Sequence, residues 1–141
     1  MKYIAFDIGD RRIGVAVSDP FCEFAMPLET YYRKNFKKDV EYLVNLAKQK
    51  YADVIVCGLP LNFDGSKSIQ TEKTESFVEE MKKITTIPIV LEDERFTTMQ
   101  AERILIEADM KRSDRKAVID KVAASYILET YMAKMKNKGV K

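Results

Sequence analysis

The sequence predicts an α/β fold, in which a mixed five-stranded sheet of three antiparallel and then two parallel strands carries helices on both faces. Residues 3–33 contain three runs of β-branched, aromatic and apolar residues joined by short turns, which is typical of an antiparallel meander. Beyond residue 35, segments with helical periodicity alternate with short apolar runs, which indicates parallel strands covered by helices. With 141 residues and no internal repeat, the chain is expected to form one domain, 1–141.

The first two strands are expected to form a hairpin. Tyr3–Ile8 and Ile13–Val17 are separated by Gly, Asp and Arg at positions 9–11, which are common turn residues. A third strand should span Ala25–Arg33. Because Pro27 cannot donate a ladder hydrogen bond, this strand should lie at an edge of the sheet, or Pro27 should be at its first residue.

The rest of the chain should alternate helices and strands. Asn35 is a suitable N-cap for a helix that runs to about Lys50. The unbroken apolar run Asp53–Gly58 should be a strand parallel to the first one. A helix should follow from about Lys67 to Ile84, and then a buried strand over Pro88–Glu92. Thr97 and Gln100 match a capping box, which predicts a helix from Thr97 to about Ala108. A last helix, capped by Ser113, should end near Met135, before a frayed basic tail at about 136–141.

The amino-acid composition limits the catalytic schemes and binding partners that this chain could have. The chain contains no histidine, which excludes Ser–His and Cys–His nucleophile schemes, and its two cysteines are expected to be buried free thiols. The net charge is only +2, so binding to nucleic acid would depend on local clusters of Lys and Arg. No apolar run approaches the length of a membrane span and no signal peptide is apparent, so we expect a cytoplasmic protein with no membrane partner.

Three carboxylates occupy unusual positions. Asp7 interrupts an apolar strand, and Asp120 projects from the apolar face of the last helix, between Ile127 and Tyr131. Glu94 leaves the end of a predicted strand, where Glu92 or Asp93 is an alternative. Structural roles are also open, because Asp7 could pair with Arg11 or Arg12 and Asp120 with Lys116.

Convergence of these acids at one sheet edge would create an oxygen-only site for Mg²⁺ or Mn²⁺. Without histidine, such a site is best suited to two-metal phosphodiester hydrolysis, in which one ion activates water and the other stabilises the leaving oxygen. Several residues are candidates for binding the phosphate backbone: Arg11, Arg12, Asn62, Ser66, Arg95, Thr97, Lys111, Arg112, Arg115 and Lys116. Some of them also have a purely structural explanation: residues 62–66 could be an ordinary strand-to-helix turn, Thr97 only a helix cap, and the cations at 111–116 a solvated run of charges.

Four motifs, in this order and spacing, resemble the YqgF family: FDIGDRRIGVAVSD, GLPLNFDGS, LEDERFTTMQAE and DKVAASYIL. Members of that family are described as nucleases of pre-16S rRNA and as Holliday junction resolvases. The resemblance implies an RNase H-like fold, metal-dependent endonuclease chemistry, and an acidic triad of Asp7, Glu94 and Asp120. It covers nearly the whole chain.

We therefore expect a Mg²⁺- or Mn²⁺-dependent nuclease that acts on structured RNA, most simply in 5′-end maturation of pre-16S rRNA, as a monomer or homodimer. Resolution of four-way DNA junctions is the alternative with the same chemistry. A non-catalytic RNA-binding assembly factor is an alternative of another class. The acid and glycines of the first hairpin also resemble the phosphate-binding hairpin of actin-like ATPases, but those enzymes clamp ATP between two lobes and this chain has room for one.

Overall fold

A computed structural model describes residues 1–94 and 112–138, with side chains for 1–94 and 118–138. Five strands form one sheet in the order β3-β2-β1-β4-β5. The first three pair antiparallel, and β4 and β5 lie parallel to β1, so the predicted mixed sheet is confirmed. The strands are β1 (Tyr3–Ile8), β2 (Arg12–Ser18), β3 (Ala25–Tyr32), β4 (Val54–Leu59) and β5 (Ile89–Asp93).

Three helices are described: α1 (Phe36–Gln49), α2 (Ile69–Lys82) and α3 (Arg112–Asn137). The predicted cap of α1 is confirmed, because the Asn35 side chain accepts a hydrogen bond from the Lys38 backbone N–H. In α2, Ser68 and Thr71 form a capping box. None of the helices described here has both the length and the apolar character needed to cross a membrane.

The sheet separates two hydrophobic clusters. On one face, Ile4 and Phe6 pack with residues of α1 and α2 such as Leu43 and Phe77. On the other face, the small Ala5 and Ala16 side chains let α3 lie close to the sheet, against Ala124, Ile127 and Leu128. Because strand side chains alternate, Asp7 shares the α3 face with Ala5.

Three sequence predictions need correction, and one falls outside the described residues. Cys57 is buried as expected, but Cys22 is only partly buried. Ser113 lies inside α3 and is not its cap, since the helix includes Arg112; it also extends past Met135 to Asn137. The strand over Pro88–Glu92 is at the edge of the sheet that the described residues form, and Leu91 is 41% exposed, because none of the other described strands pairs with β5 on its outer side. The helix predicted from Thr97 lies outside the described part of the chain.

A buried carboxylate links β3 to α1. Asp39 is only 1% exposed and accepts hydrogen bonds from the Tyr31 hydroxyl, Arg33 Nε and the Lys34 backbone N–H, each at 2.9 Å. Burial acts to raise the pKa of Asp39, but these donors outweigh it and hold the pKa below its ordinary value. The charged form of Asp39 therefore stabilises the native state.

Asp39→Ala should lower the free energy of unfolding by roughly 3 kcal/mol at pH 7, because it leaves the partly buried Arg33 guanidinium and the buried Tyr31 hydroxyl without their acceptor. Since the folded pKa is depressed, this stabilisation is present above the unfolded pKa of about 3.9 and is lost as pH falls through the folded value. Urea denaturation at pH 3–7 measures both effects. The control is Asp10→Ala, which removes only an exposed 3.4 Å pair with Lys73 and should cost less than about 1 kcal/mol. Equal losses in the two variants would contradict this role for Asp39.

Candidate active site

The site is built on one row of residues across the sheet. Asp7 on β1 lies opposite Gly14 on β2, and the pairing of Phe6 with Cys57 places Gly58 of β4 on its other side. The carboxylate of Asp7 therefore projects toward α3 with a glycine on each neighbouring strand.

Both glycines make room for other parts of the site. A Cβ atom at Gly14 would lie 1.9 Å from the backbone oxygen of Asp120, so α3 can approach β2 only because Gly14 has no side chain. A Cβ atom at Gly58 would lie 2.5 Å from Ile127 Cδ1 and 2.9 Å from Glu94 Oε2. A glycine inside a strand commonly marks such a close approach, and the sequence analysis did not use this signal.

The structure brings the three candidate acids into one cavity. Asp7, Glu94 and Asp120 all line a cavity of about 360 Å³, together with Gly9 and Gln70. They come from β1, from the residue after β5, and from the first half of α3. The geometry of this convergence matches the sequence expectation, while the catalytic role of the three residues stays a prediction.

Asp7, which is partly exposed, and the buried Glu94 form a carboxyl pair in hydrogen-bond contact. Burial raises the pKa of Asp7, and the negative charge of Asp120 raises it further, although the hydrogen bond from Glu94 works in the opposite direction. Burial also raises the pKa of Glu94, and both the charge and the hydrogen bond of Asp7 add to this rise. Two carboxyl groups this close cannot both ionise without a compensating cation, so the pair retains a shared proton at neutral pH.

Asp120 is held differently. Its Oδ2 accepts a hydrogen bond from Arg12 Nε at 2.7 Å, and both side chains are partly exposed. Arg12 therefore pairs with the helix acid and not with Asp7, while Arg11 is exposed at the hairpin turn. The side chain of Lys116, the other candidate partner of Asp120, lies outside the described residues.

Glu94 is the acid of this strand end that reaches the cavity. Glu92 is buried on the same face but forms an ion pair with Lys134, and Asp93, between them, is exposed.

Within residues 1–94 and 118–138, no three His, Cys, Asp or Glu side chains are arranged as a preformed metal cluster. The donor set nevertheless fits a hard cation, because Asp7 and Glu94 supply adjacent carboxylate oxygens that form no ion pair with any described residue, and Asp120 lines the same cavity.

The loop proposed to bind phosphate is closed on itself. Asn62 Nδ2 donates to Ser66 Oγ at 2.9 Å, and the Ser66 backbone N–H and hydroxyl both donate to Asp64 Oδ1. These contacts are those of an ordinary turn, and neither Asn62 nor Ser66 lines the cavity. The remaining predicted phosphate ligands are outside the described chain (Arg95, Thr97, Lys111) or lie on α3 with their side chains outside it (Arg112, Arg115, Lys116).

Comparison with known proteins identifies close relatives of this sequence. The model of the RuvX family, described as Holliday junction resolvase, matches residues 1–134. A protein of Clostridium acetobutylicum is 43% identical over 132 residues, which cover 94% of this chain and 98% of that protein. A protein of Caldanaerobacter subterraneus is 44% identical over 138 residues, covering 97% and 99%. Both carry the name "Putative pre-16S rRNA nuclease".

Solved structures with the same fold are more distant in sequence. Thermus thermophilus RuvC in complex with a Holliday junction substrate superposes with a TM-score of 0.60 at 11% identity, covering 96% of each chain. Fowlpox virus resolvase, in complex with Holliday junction DNA, gives a TM-score of 0.59 at 13% identity and covers 96% of this chain and 99% of that one. These similarities establish the RNase H-like fold.

Alanine at the two glycines should have different effects. Gly14→Ala meets the backbone of α3 and should destabilise the protein by about 3 kcal/mol or more, whereas Gly58→Ala meets only side-chain ends and should cost about 1–2 kcal/mol. Chemical denaturation of both variants tests this order. A smaller loss for Gly14→Ala than for Gly58→Ala would contradict the close contact between β2 and α3.

Proposed function

Because this chain belongs to the RuvX family, we propose that it is a divalent-metal-dependent endonuclease that cleaves structured RNA, with maturation of the pre-16S rRNA 5′ end as its activity. The observation that carries the proposal is the meeting of Asp7, Glu94 and Asp120 in one cavity. The substrate is inferred from the names of relatives more than 40% identical over nearly the full chain. Work on an rRNA precursor would place this single-domain enzyme in the cytoplasm.

We assign the binding of Mg²⁺ or Mn²⁺ to Asp7, Glu94 and Asp120. Two such ions supply a more acidic water for attack on phosphorus and positive charge for the leaving oxygen. Before they bind, Asp7 and Glu94 must give up their shared proton, so metal affinity should increase with pH. Asp120 must offer an oxygen while Arg12 holds its Oδ2, and Arg12 thus positions this carboxylate against the hairpin.

The substrate backbone requires cations near the cavity. Arg112, Arg115 and Lys116 occupy the first turns of α3, roughly 6–12 Å before Asp120 along the helix axis. Arg95 and Lys111 adjoin Glu94 and α3 in the sequence. We propose that these residues, with Arg11, hold phosphates on either side of the cleaved bond.

Resolution of four-way DNA junctions is the second candidate, favoured by the description of the matched family. Paired symmetric nicks require two active sites, so this function needs a two-fold dimer. The mass in solution, together with cleavage assays on a junction and on precursor rRNA, separates the two functions. An assembly factor without catalysis would bind RNA and cut neither substrate.

Asp7→Asn should reduce cleavage of precursor rRNA in Mn²⁺ by more than about 100-fold, since even substitutions beside metal ligands cost 10–100-fold. RNA binding in EDTA and the fold should be preserved, because Asn has nearly the same shape. The matched control is Asp53→Asn. Asp53 lies just before β4, at the other end of the sheet, so this variant should cleave RNA at the wild-type rate. An unchanged cleavage rate in Asp7→Asn would reject the assigned role of Asp7.

A further inference from the structure

A second, larger groove opens beside the cavity of the three acids. It has a volume of about 830 Å³ and lies between the β1–β2 turn, the end of β3 and the first turns of α1 and α2. Ile8, Asp10 and Gln70 line both spaces, so the groove continues directly from the cavity. We call it the basic groove, after its cations Arg11, Arg33, Lys34 and Lys73.

Some of these charges are already balanced. Arg33 pairs with the buried Asp39, and Lys73 lies 3.4 Å from Asp10. Arg11 and Lys34 are exposed and form no ion pair within the described part of the chain. One acid of the groove, Glu72, is likewise without an ion pair among the described residues, and it lines the groove from the first turn of α2.

The lysines near the groove lie at the wrong end of α1 for helix stability. Lys34 precedes the N-cap Asn35, and Lys37 and Lys38 occupy the first turn, where the helix dipole is positive and favours acids. The single acid of this turn, Asp39, is buried and occupied by Arg33 and Tyr31. Lysines at the positive end of a helix dipole lower the stability of the helix, and an external anion bound there would supply the compensating negative charge.

The groove also exposes two aromatic rings. Tyr32 is 61% exposed and Phe36 is 45% exposed, although an edge of Phe36 touches Phe77. Large exposed rings beside cations are the combination by which proteins bind unpaired nucleotides, since the face of an unpaired base is free to stack on a ring. Tyr32 and Phe36 come from different elements, β3 and α1, so the sequence alone does not show that their rings line one groove.

We propose that the basic groove binds an unpaired stretch of the substrate strand next to the cleaved bond, with phosphates on Arg11 and Lys34 and a base stacked on Tyr32. This inference rests on the proposed nuclease function, and it narrows the substrate to structured nucleic acid with a single-stranded flank. A fully paired four-way junction would leave the groove empty.

The test compares binding of one RNA hairpin with a single-stranded tail and without it. Binding is measured by fluorescence anisotropy in EDTA, so that no cleavage intervenes. The wild type should bind the tailed hairpin more tightly than the blunt one. Tyr32→Ala should weaken tailed binding about tenfold, the loss of one stacked base, and change blunt binding less than twofold. Lys34→Gln should reduce the slope of log affinity against log salt by about 0.7, the value for one phosphate of a single strand.

Matched controls come from the opposite end of α1. Tyr51→Ala and Lys48→Gln replace the same residue types, also exposed, and should leave tailed binding within twofold of the wild type. Circular dichroism verifies the fold of every variant. The proposal is overturned if the tail adds no affinity, if Tyr32→Ala weakens both RNAs equally, or if Tyr51→Ala weakens tailed binding as much as Tyr32→Ala.

A cleavage assay of the same RNAs in Mn²⁺ separates the two proposals. Tail-dependent binding that needs Tyr32, without any cleavage, would support the basic groove and reject the nuclease function. Cleavage with no dependence on the tail would support the nuclease function and reject the basic groove.

Discussion

The candidate site is organised around two carboxyl groups, Asp7 and Glu94, that the fold holds in hydrogen-bond contact at the end of the sheet. Asp7 is surrounded by the sheet and α3, and Glu94 is 9% exposed. Burial raises the pKa of both groups; the charge of Asp120 raises that of Asp7 further, and the charge of Asp7 raises that of Glu94 further. Such a pair costs folding free energy when no cation balances it, and strongly shifted pKa values of this kind are common at functional sites.

The surrounding residues keep this pair in place. Gly14 and Gly58 provide the space on either side of Asp7, and without that space α3 and Glu94 could not lie so close to the sheet. Arg12 then fixes Asp120 at the rim of the cavity. The hydrophobic clusters on both faces make the sheet rigid, and this rigidity determines how closely the acids are held.

Much of the fold could be predicted because each element has a local signal. The hairpin, the cap at Asn35 and the edge position of β3 follow from turn residues, an N-cap and a proline. Asp7 and Asp120 were found because an acid among apolar residues breaks the pattern of a strand or helix face. The prediction was wrong for β5, since an apolar run does not reveal whether another strand lies beyond it.

Contacts between distant elements could not be predicted in the same way. The pairing of Arg12 with Asp120 spans 108 positions and depends on where α3 crosses β2. The basic groove combines residues of the first hairpin, β3, α1 and α2, none of which is unusual alone. The loop at 62–66 carries glycine and polar residues that serve a phosphate site or a plain turn equally well, and only its internal hydrogen bonds show the turn.

Thermal unfolding of the wild type and of Glu94→Gln, in EDTA and in excess Mn²⁺, tests the central claim most directly. A raised folded pKa means that the native state binds more protons than the unfolded chain, so metal-free stability falls as pH rises above about 4. Glu94→Gln should remove much of this loss and unfold at a higher temperature than the wild type in EDTA at pH 8. Mn²⁺ at 100 times its Kd should stabilise the wild type by about 2.7 kcal/mol and the variant far less. A variant less stable than the wild type in EDTA, with no Mn²⁺ effect on either protein, would contradict the account.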